Sequence, residues 1–153
     1  MSAPAPRQDL YAVLMALAGD TLLLPNVAVT EVLSFDRLQP QPGEGALAGW
    51  CEYNNRRLPV ARFEVLNGGT VPAPTRRTRV AVVNCISGKL AVGQYGLLCQ
   101  GYPHLVTLNR TALTREGLAA GDRADLVLAR VKIANTAAAI PNLEALEADL
   151  ALL

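Results

Sequence analysis

The stretch Gly49-Trp50-Cys51-Glu52-Tyr53-Asn54-Asn55-Arg56-Arg57-Leu58-Pro59-Val60-Ala61-Arg62-Phe63 restricts what this chain can fold into more than any other. It reads as a strand, a two-residue turn at Asn54-Asn55, and a second strand running to Pro59. A tight hairpin turn demands positive φ, which asparagine tolerates better than most residues with a side chain. The spacing therefore predicts an antiparallel hairpin.

Strand signals recur on both sides of it. Residues 10–17 and 21–24 are short apolar runs around Ala18-Gly19-Asp20, a second hairpin signal. Pro25 interrupts, since proline cannot donate to a sheet ladder. Val27, Val29 and Val32 then mark a segment that is extended or forms a short turn of helix. Gln39-Pro40-Gln41-Pro42-Gly43 is expected to be irregular. Residues 62–66 predict a brief helix ending at Asn67-Gly68-Gly69, and residues 70–75, with Pro72 and Pro74, a connector between two halves. In the second half, 79–86 and 89–94 flank a compact turn at Ser87-Gly88. Residues 97–99 and 105–108 continue the β pattern, and Val127, Ala129, Val131 and Ile133 alternate as a half-buried strand does. The tail differs. Asn142 is a good N-cap, and Leu143, Leu146, Leu150 and Leu153 fall at helical spacing, predicting a helix over about 142–153 that docks its leucines on the body. Many short strands with no long helix between them point to an all-β protein built of barrels.

The chemistry of an enzyme is sparse. His104 is the only histidine, so a multi-histidine metal site is excluded. A nucleophile–base pair of Cys99 with His104 is the remote catalytic alternative. Gly93-Gln94-Tyr95-Gly96 lacks dinucleotide spacing, and there is no phosphate-binding loop. The acids are scattered without a metal-binding cadence. No cofactor, metal or catalytic residue is expected. Cys51, Cys85 and Cys99 form an odd, widely spaced set with no C-x-x-C, and are read as buried thiols. With 153 residues, 51% hydrophobic and 18% charged, the chain suits one folded domain. A net charge of +1 offers no broad attraction to nucleic acid or an anionic membrane. No apolar run is long enough to span a bilayer, and the first residues lack a signal peptide's apolar core, so a cytoplasmic location without direct membrane insertion is expected. Arg76-Arg77-Thr78-Arg79 is the one dense basic spot, read as a solvated start of a strand, with contact to an acidic surface or phosphate as the sharper reading. Trp50, Phe35 and Phe63 are each a core pillar or an interface anchor.

Two phrases and their order carry a resemblance. Pro25, Val29, Glu31 and Val32 form the first; the interval from Gly49 to Pro59, followed by Val60, forms the second; Lys89-Leu90-Ala91-Val92 closing on Gly93 supports them. Together they resemble the CheW-like family, adaptors that couple chemoreceptors to a histidine kinase. Gln100-Gly101-Tyr102-Pro103-His104 and Ile140-Pro141-Asn142-Leu143 are similar to the ChpC/PilI-type members of the Chp chemosensory system, associated with type IV pili and twitching motility. The resemblance implies one domain over residues 9–150, made of two intertwined five-stranded SH3-like barrels with a linker near 70–75 and a short C-terminal helix. It implies two partners, the regulatory domain of a CheA-type histidine kinase and the cytoplasmic tip of a methyl-accepting chemoreceptor. The positions it assigns to protein binding are Val29, Glu31, Val32, Trp50, Asn54, Asn55, Arg56 and Arg57. The chain departs from the family where an arginine–glycine pair usually forms the hairpin turn, because Asn54-Asn55 stands there, and Arg56 and Arg57 carry the charge one step later. The usual acidic residue after Gly93 is also replaced, by Gly96-Leu97-Leu98. Such changes fit an accessory protein that binds one partner and limits array assembly as the alternative to a bridging adaptor.

Overall fold

The computed structural model describes residues 10–109 and 113–153. In chain order the strands are β1 (Leu10–Ala16), β2 (Thr21–Pro25), β3 (Val29–Ser34), β4 (Gln39–Pro40), β5 (Leu47–Tyr53), β6 (Arg56–Ala61), β7 (Thr78–Asn84), β8 (Gln94–Gln100), β9 (His104–Leu108), β10 (Leu113–Glu116), β11 (Val127–Ile133) and β12 (Thr136–Pro141). Two helices accompany them, α1 (Phe63–Leu66) and α2 (Leu143–Ala151), with short 3-10 turns at Asn26–Ala28 and Phe35–Arg37. The strands form two six-stranded sheets, ordered β10-β11-β12-β2-β1-β9 and β3-β7-β8-β6-β5-β4. Among the described residues only β12–β2 and β6–β8 run parallel. Each sheet counts six strands, the shortest in the second being the two-residue β4.

Each hairpin follows from its turn. Asn54 and Asn55 take φ of +49° and +61°, the backbone a tight turn requires, and β5 and β6 pair from Tyr53↔Arg56 to Leu47↔Ala61. Between β1 and β2 the Leu17 amide donates to the Asp20 carbonyl at 2.8 Å, closing the turn around Ala18 and Gly19. Gly49 shows why the second sheet needs a glycine there. A Cβ at this position would land on the carbonyl oxygen of Gln39, so β4 reaches β5 only because the side chain is missing.

The second sheet is rolled. β3 and β5 lie four strands apart, which would separate them by about 19 Å in a flat sheet at ~4.8 Å per strand. Yet Arg37, just past β3, donates to the Glu52 carbonyl on β5 at 2.9 Å. The barrel so formed encloses Leu33, Cys51, Leu58, Val60, Val80 and Val82. The first sheet encloses its own cluster of Ala12, Leu23, Val131, Ile133 and Ala138. The largest cluster lies between the barrels, where Met15, Leu22 and Leu24 of one meet Ala81, Val83, Tyr95 and Leu97 of the other. Phe63 and the leucines of α2 complete it.

The C-terminal helix is capped as expected, with Asn142 Oδ1 accepting the Ala145 amide at 3.1 Å. Leu143, Leu146 and Leu150 are buried on the core. Leu153 lies beyond the last turn and is exposed, so the stripe is one leucine shorter than expected.

Four further expectations change. Residues 89–94 do not form a strand; 85–93 is a broad connector, and β8 begins at Gln94. The start of the connector is held from outside the sheet by Glu147 of α2, fully buried, whose carboxylate accepts the Ile86 amide at 3.0 Å, the Ser87 amide at 2.9 Å and the Ser87 hydroxyl at 2.6 Å. That anchoring replaces the compact turn expected at Ser87-Gly88. Residues 70–75 do connect, but they join α1 to β7 within one sheet; the chain passes between sheets at 25–29 and at 100–104. Gln39–Pro40 pairs as β4 instead of being wholly irregular, because Trp50 and Gly49 lie opposite it.

A charged brace ties the first barrel together. Arg130 on β11 meets Asp122 through Nε and Nη2 at 2.9 and 2.7 Å, and Asp20 through Nη1 and Nη2 at 2.7 and 2.8 Å. Asp122 also accepts from Asn67 at 2.9 Å, so the brace reaches the end of α1.

Candidate functional site

Of the residues expected to bind partners, Val29 and the Asn54–Arg57 turn lie at one end of the second barrel, while Val32 opposite Ala81 and Trp50 opposite Pro59 lie in mid-strand. Residue pairing explains why. Val29 on β3 lies opposite Val83 on β7, Asn84 lies opposite Gln94 on β8, and Arg56 opens β6 beside Gln94. A chain of side chains links them. Arg56 donates from Nη1 to the Val92 carbonyl at 2.8 Å and from Nη2 to Gln94 Oε1 at 2.9 Å. Gln94 Nε2 donates to Asn84 Oδ1 at 2.9 Å, and the same oxygen accepts from the Thr30 hydroxyl at 2.7 Å. Asn84 Nδ2 then donates to the Val27 carbonyl at 3.0 Å. The hairpin tip and the Asn26–Ala28 turn are thereby held in fixed relation through a largely buried glutamine.

Around this chain the surface is mixed. Asn54, Asn55, Arg56, Arg57 and Glu31 are exposed, while Val29 and Val32 are half-buried. Arg57 covers the Trp50 ring, its guanidinium carbon 4.5 Å from the ring centroid. Trp50 is half-buried and belongs to none of the three apolar clusters, so it is a surface aromatic on the outer face of β5. Phe63 is the core pillar, and Phe35 is half-buried at the edge of a recess with Leu38 and Val71. On the opposite edge of the polar chain, Glu31 holds the Tyr53 hydroxyl above the ordinary phenol range by hydrogen bonding. Arg56 and Arg57 therefore act differently. Arg56 is spent on the scaffold, and Arg57 presents a charge layered on an aromatic face.

Sequence reasoning did not single out Tyr53, Asn84 or Gln94 as parts of this surface, nor the strongly exposed Val27 and Ile86 on either side of it. Val27 and Val29 carry the only local signal, a β-branched run after a proline. Gln94 and Asn84 carry none, since they meet only through the β7–β8 register.

The thiols are buried or half-buried. Cys99 is buried, its sulfur faces the Arg79 and Gly101 carbonyls at 3.7 Å each, and burial pushes its pKa up to about 12. Burial also raises Cys51, and burial with the Glu147 carboxylate raises Cys85 to about 11. Cys85 is half-buried, not fully buried as expected. His104 is exposed on β9, in the other sheet from Cys99, and the structure does not bring the two together as a nucleophile and base. Among the described residues no group of His, Cys, Asp or Glu is arranged to hold a metal, and no helix is long and apolar enough to cross a membrane.

The model of the CheW-like domain family matches residues 12–150. No curated protein sequence matches the chain. Among solved structures, the scaffolding protein TtCheW from Thermoanaerobacter tengcongensis superposes with a TM-score of 0.71 at 14% identity, over 94% of this chain and 90% of that one. The likeness is one of fold, two SH3-like barrels with a short C-terminal helix.

Proposed function

Because the chain belongs to the CheW-like domain family, we propose that it is a non-enzymatic signalling adaptor that couples a chemoreceptor tip to the regulatory domain of a CheA-type histidine kinase. The observation that supports this most is the polar chain from Arg56 through Gln94 and Asn84 to the Asn26–Ala28 turn. It pre-orders two exposed segments as one surface, and a pre-ordered surface loses less entropy on docking. The resemblance at 100–104 and 140–143 extends the reading to the control of type IV pili and twitching motility. An adaptor of this kind works by raising the effective concentration of one partner for the other.

One departure favours a second reading. The turn carries Asn54-Asn55 in place of an arginine fork, and Arg56 is occupied by the Val92 carbonyl and Gln94. A surface with only Arg57 free at the hairpin suits a protein that binds one partner and competes with a bridging adaptor. The test is a titration followed by Trp50 fluorescence, Trp50 being the only tryptophan. Saturable binding to both kinase domain and receptor tip, with a ternary complex, supports bridging. Binding to one alone supports the competitor. Binding to neither overturns the proposal.

A further inference from the structure

We propose that the turn Arg76-Arg77-Thr78-Arg79 is a docking site for an acidic, extended segment of a partner protein, separate from the hairpin surface. The turn is built rather than loose. The Thr75 amide donates to Thr78 Oγ1 at 2.8 Å, and the Thr78 amide returns to the Thr75 carbonyl at 3.2 Å. The Thr75 hydroxyl donates to Gln100 Oε1 at 2.7 Å, Gln100 Nε2 donates to Thr78 Oγ1 at 3.2 Å, and the Gly101 amide donates to the Arg77 carbonyl at 2.6 Å. These bonds clamp the start of β7 to the end of β8.

The clamp leaves two arginine heads facing water. Arg79 is folded back, donating to the Arg76 and Thr78 carbonyls at 2.8 and 2.9 Å, with its guanidinium carbon 5.8 Å from the exposed Tyr102 ring. Arg76 and Arg77 have no carboxylate or carbonyl on their guanidinium groups among the described residues, in contrast to Arg123 and Arg130, each of which meets two carboxylates. Arg77 lies across Gly101, whose φ is +68° and whose missing Cβ leaves the space the guanidinium occupies. The pair borders an open recess of about 580 Å³ whose other wall is Ala16, Leu17 and Ala18.

Each feature narrows the occupant. Two neighbouring planar forks match carboxylates in bidentate geometry, and holding them in a fixed turn lowers the cost of engaging them. The apolar wall and Tyr102 suit a segment that carries aliphatic side chains between its acids. Nucleic acid binding draws on a larger count of phosphate contacts, about 6–10, than this turn can supply, and polybasic membrane patches use about 4–8 cations. The chain's net charge of +1 adds no general attraction for either. The site is also remote from the hairpin. β8 touches Arg56 at Gln94 and the arginine turn at Gln100, so the two surfaces lie about 20 Å apart at ~3.3 Å per residue.

The test is fluorescence anisotropy with a labelled peptide of alternating aspartate and leucine, titrated with the full chain. The expected result is saturable binding that Arg76→Glu/Arg77→Glu weakens about 100-fold, each arginine contributing about tenfold through charge-assisted hydrogen bonds. Arg76→Lys/Arg77→Lys keeps the charge, removes the fork, and is expected to fall between. Arg115→Glu/Lys132→Glu changes net charge equally on the other sheet and is expected to leave binding unchanged. If the reversal variant does not melt like the parent, the lysine variant decides. The proposal is overturned by no saturable binding, by equal loss in the Arg115/Lys132 variant, by retention in the lysine variant at full strength, or by inorganic phosphate or a single-stranded oligonucleotide displacing the peptide more readily than free acidic peptide does. No kinase or receptor enters this assay, so its failure is distinct from failure of the adaptor reading.

Discussion

Replacing Arg130 with methionine isolates the charged brace of the first barrel. Methionine fills the space of the arginine stem but leaves Asp20 and Asp122 facing each other without their cation. The Arg130 side chain is 15% exposed and that of Asp122 only 3%, while Asp20 keeps 22%. Removing one member of a buried pair costs about 3–5 kcal/mol, and the partial exposure of Asp20 places this case near ~3 kcal/mol. For a chain of this size that is a fall of roughly 6–12 °C in Tm at ~2–4 °C per kcal/mol. The pH dependence makes the test specific. Hydrogen bonding from Arg130 is the main reason that the Asp122 carboxyl sits well below the usual range, with burial opposing. A carboxyl depressed in the folded state stabilises the fold fully above its unfolded value, about pH 4, and loses that contribution as pH falls further. The parent is therefore expected to lose stability below about pH 4 faster than Arg130→Met, and the gap between them to close. Urea unfolding of both proteins at neutral pH and near pH 3 measures this. An equal gap at both pH values would show that the cost is lost packing and refute the electrostatic argument.

Other substitutions test the remaining contacts. Glu147→Ala removes the acceptor of the Ile86 and Ser87 amides and is expected to cost about 2–4 kcal/mol, with Glu147→Gln costing less; hydrogen exchange at both amides should quicken, and unchanged protection would remove Glu147 as the anchor of the 85–93 connector. Gly49→Ala drives a Cβ into the Gln39 carbonyl and is expected to detach β4 and lower stability by about 2 kcal/mol, read from urea melts and the loss of the β4–β5 amide protection. Asn55→Gly keeps the positive φ and is expected to be neutral or better, whereas Asn55→Val should cost about 1–3 kcal/mol; equal melting of the two would argue against the turn geometry.

What the sequence disclosed depended on range. The Asn54-Asn55 turn and the Asn142 cap were legible because each is a local demand of the backbone, answered by the residue itself. The leucine stripe of α2 was legible for the same reason, up to Leu150. Residues 89–94 were misread because a short apolar run, Leu90-Ala91-Val92, looks the same in a strand and in a connector held by a distant carboxylate. The parallel pairings β6–β8 and β12–β2 had no local mark at all. The brace was hidden too, since Asp20 and Arg130 are 110 positions apart. At the candidate surface, the side chains that join the hairpin to the valine segment come from two other strands.

The parallel contact of β12 with β2 also sets an order of events during synthesis. The second barrel draws all its strands from residues 29–100, so its pairing partners are complete once that stretch has left the ribosome. β1 and β2 emerge before that stretch, yet their sheet is closed by β9 and β12, the latter ending at Pro141. Long-range pairing is slow because loop closure precedes any reward from contact. The leucines of β2 therefore wait, unpaired on one side, until β12 has been made. A nascent chain stalled before Pro141 should engage a holding chaperone through that first hairpin and let go only when the last strand arrives.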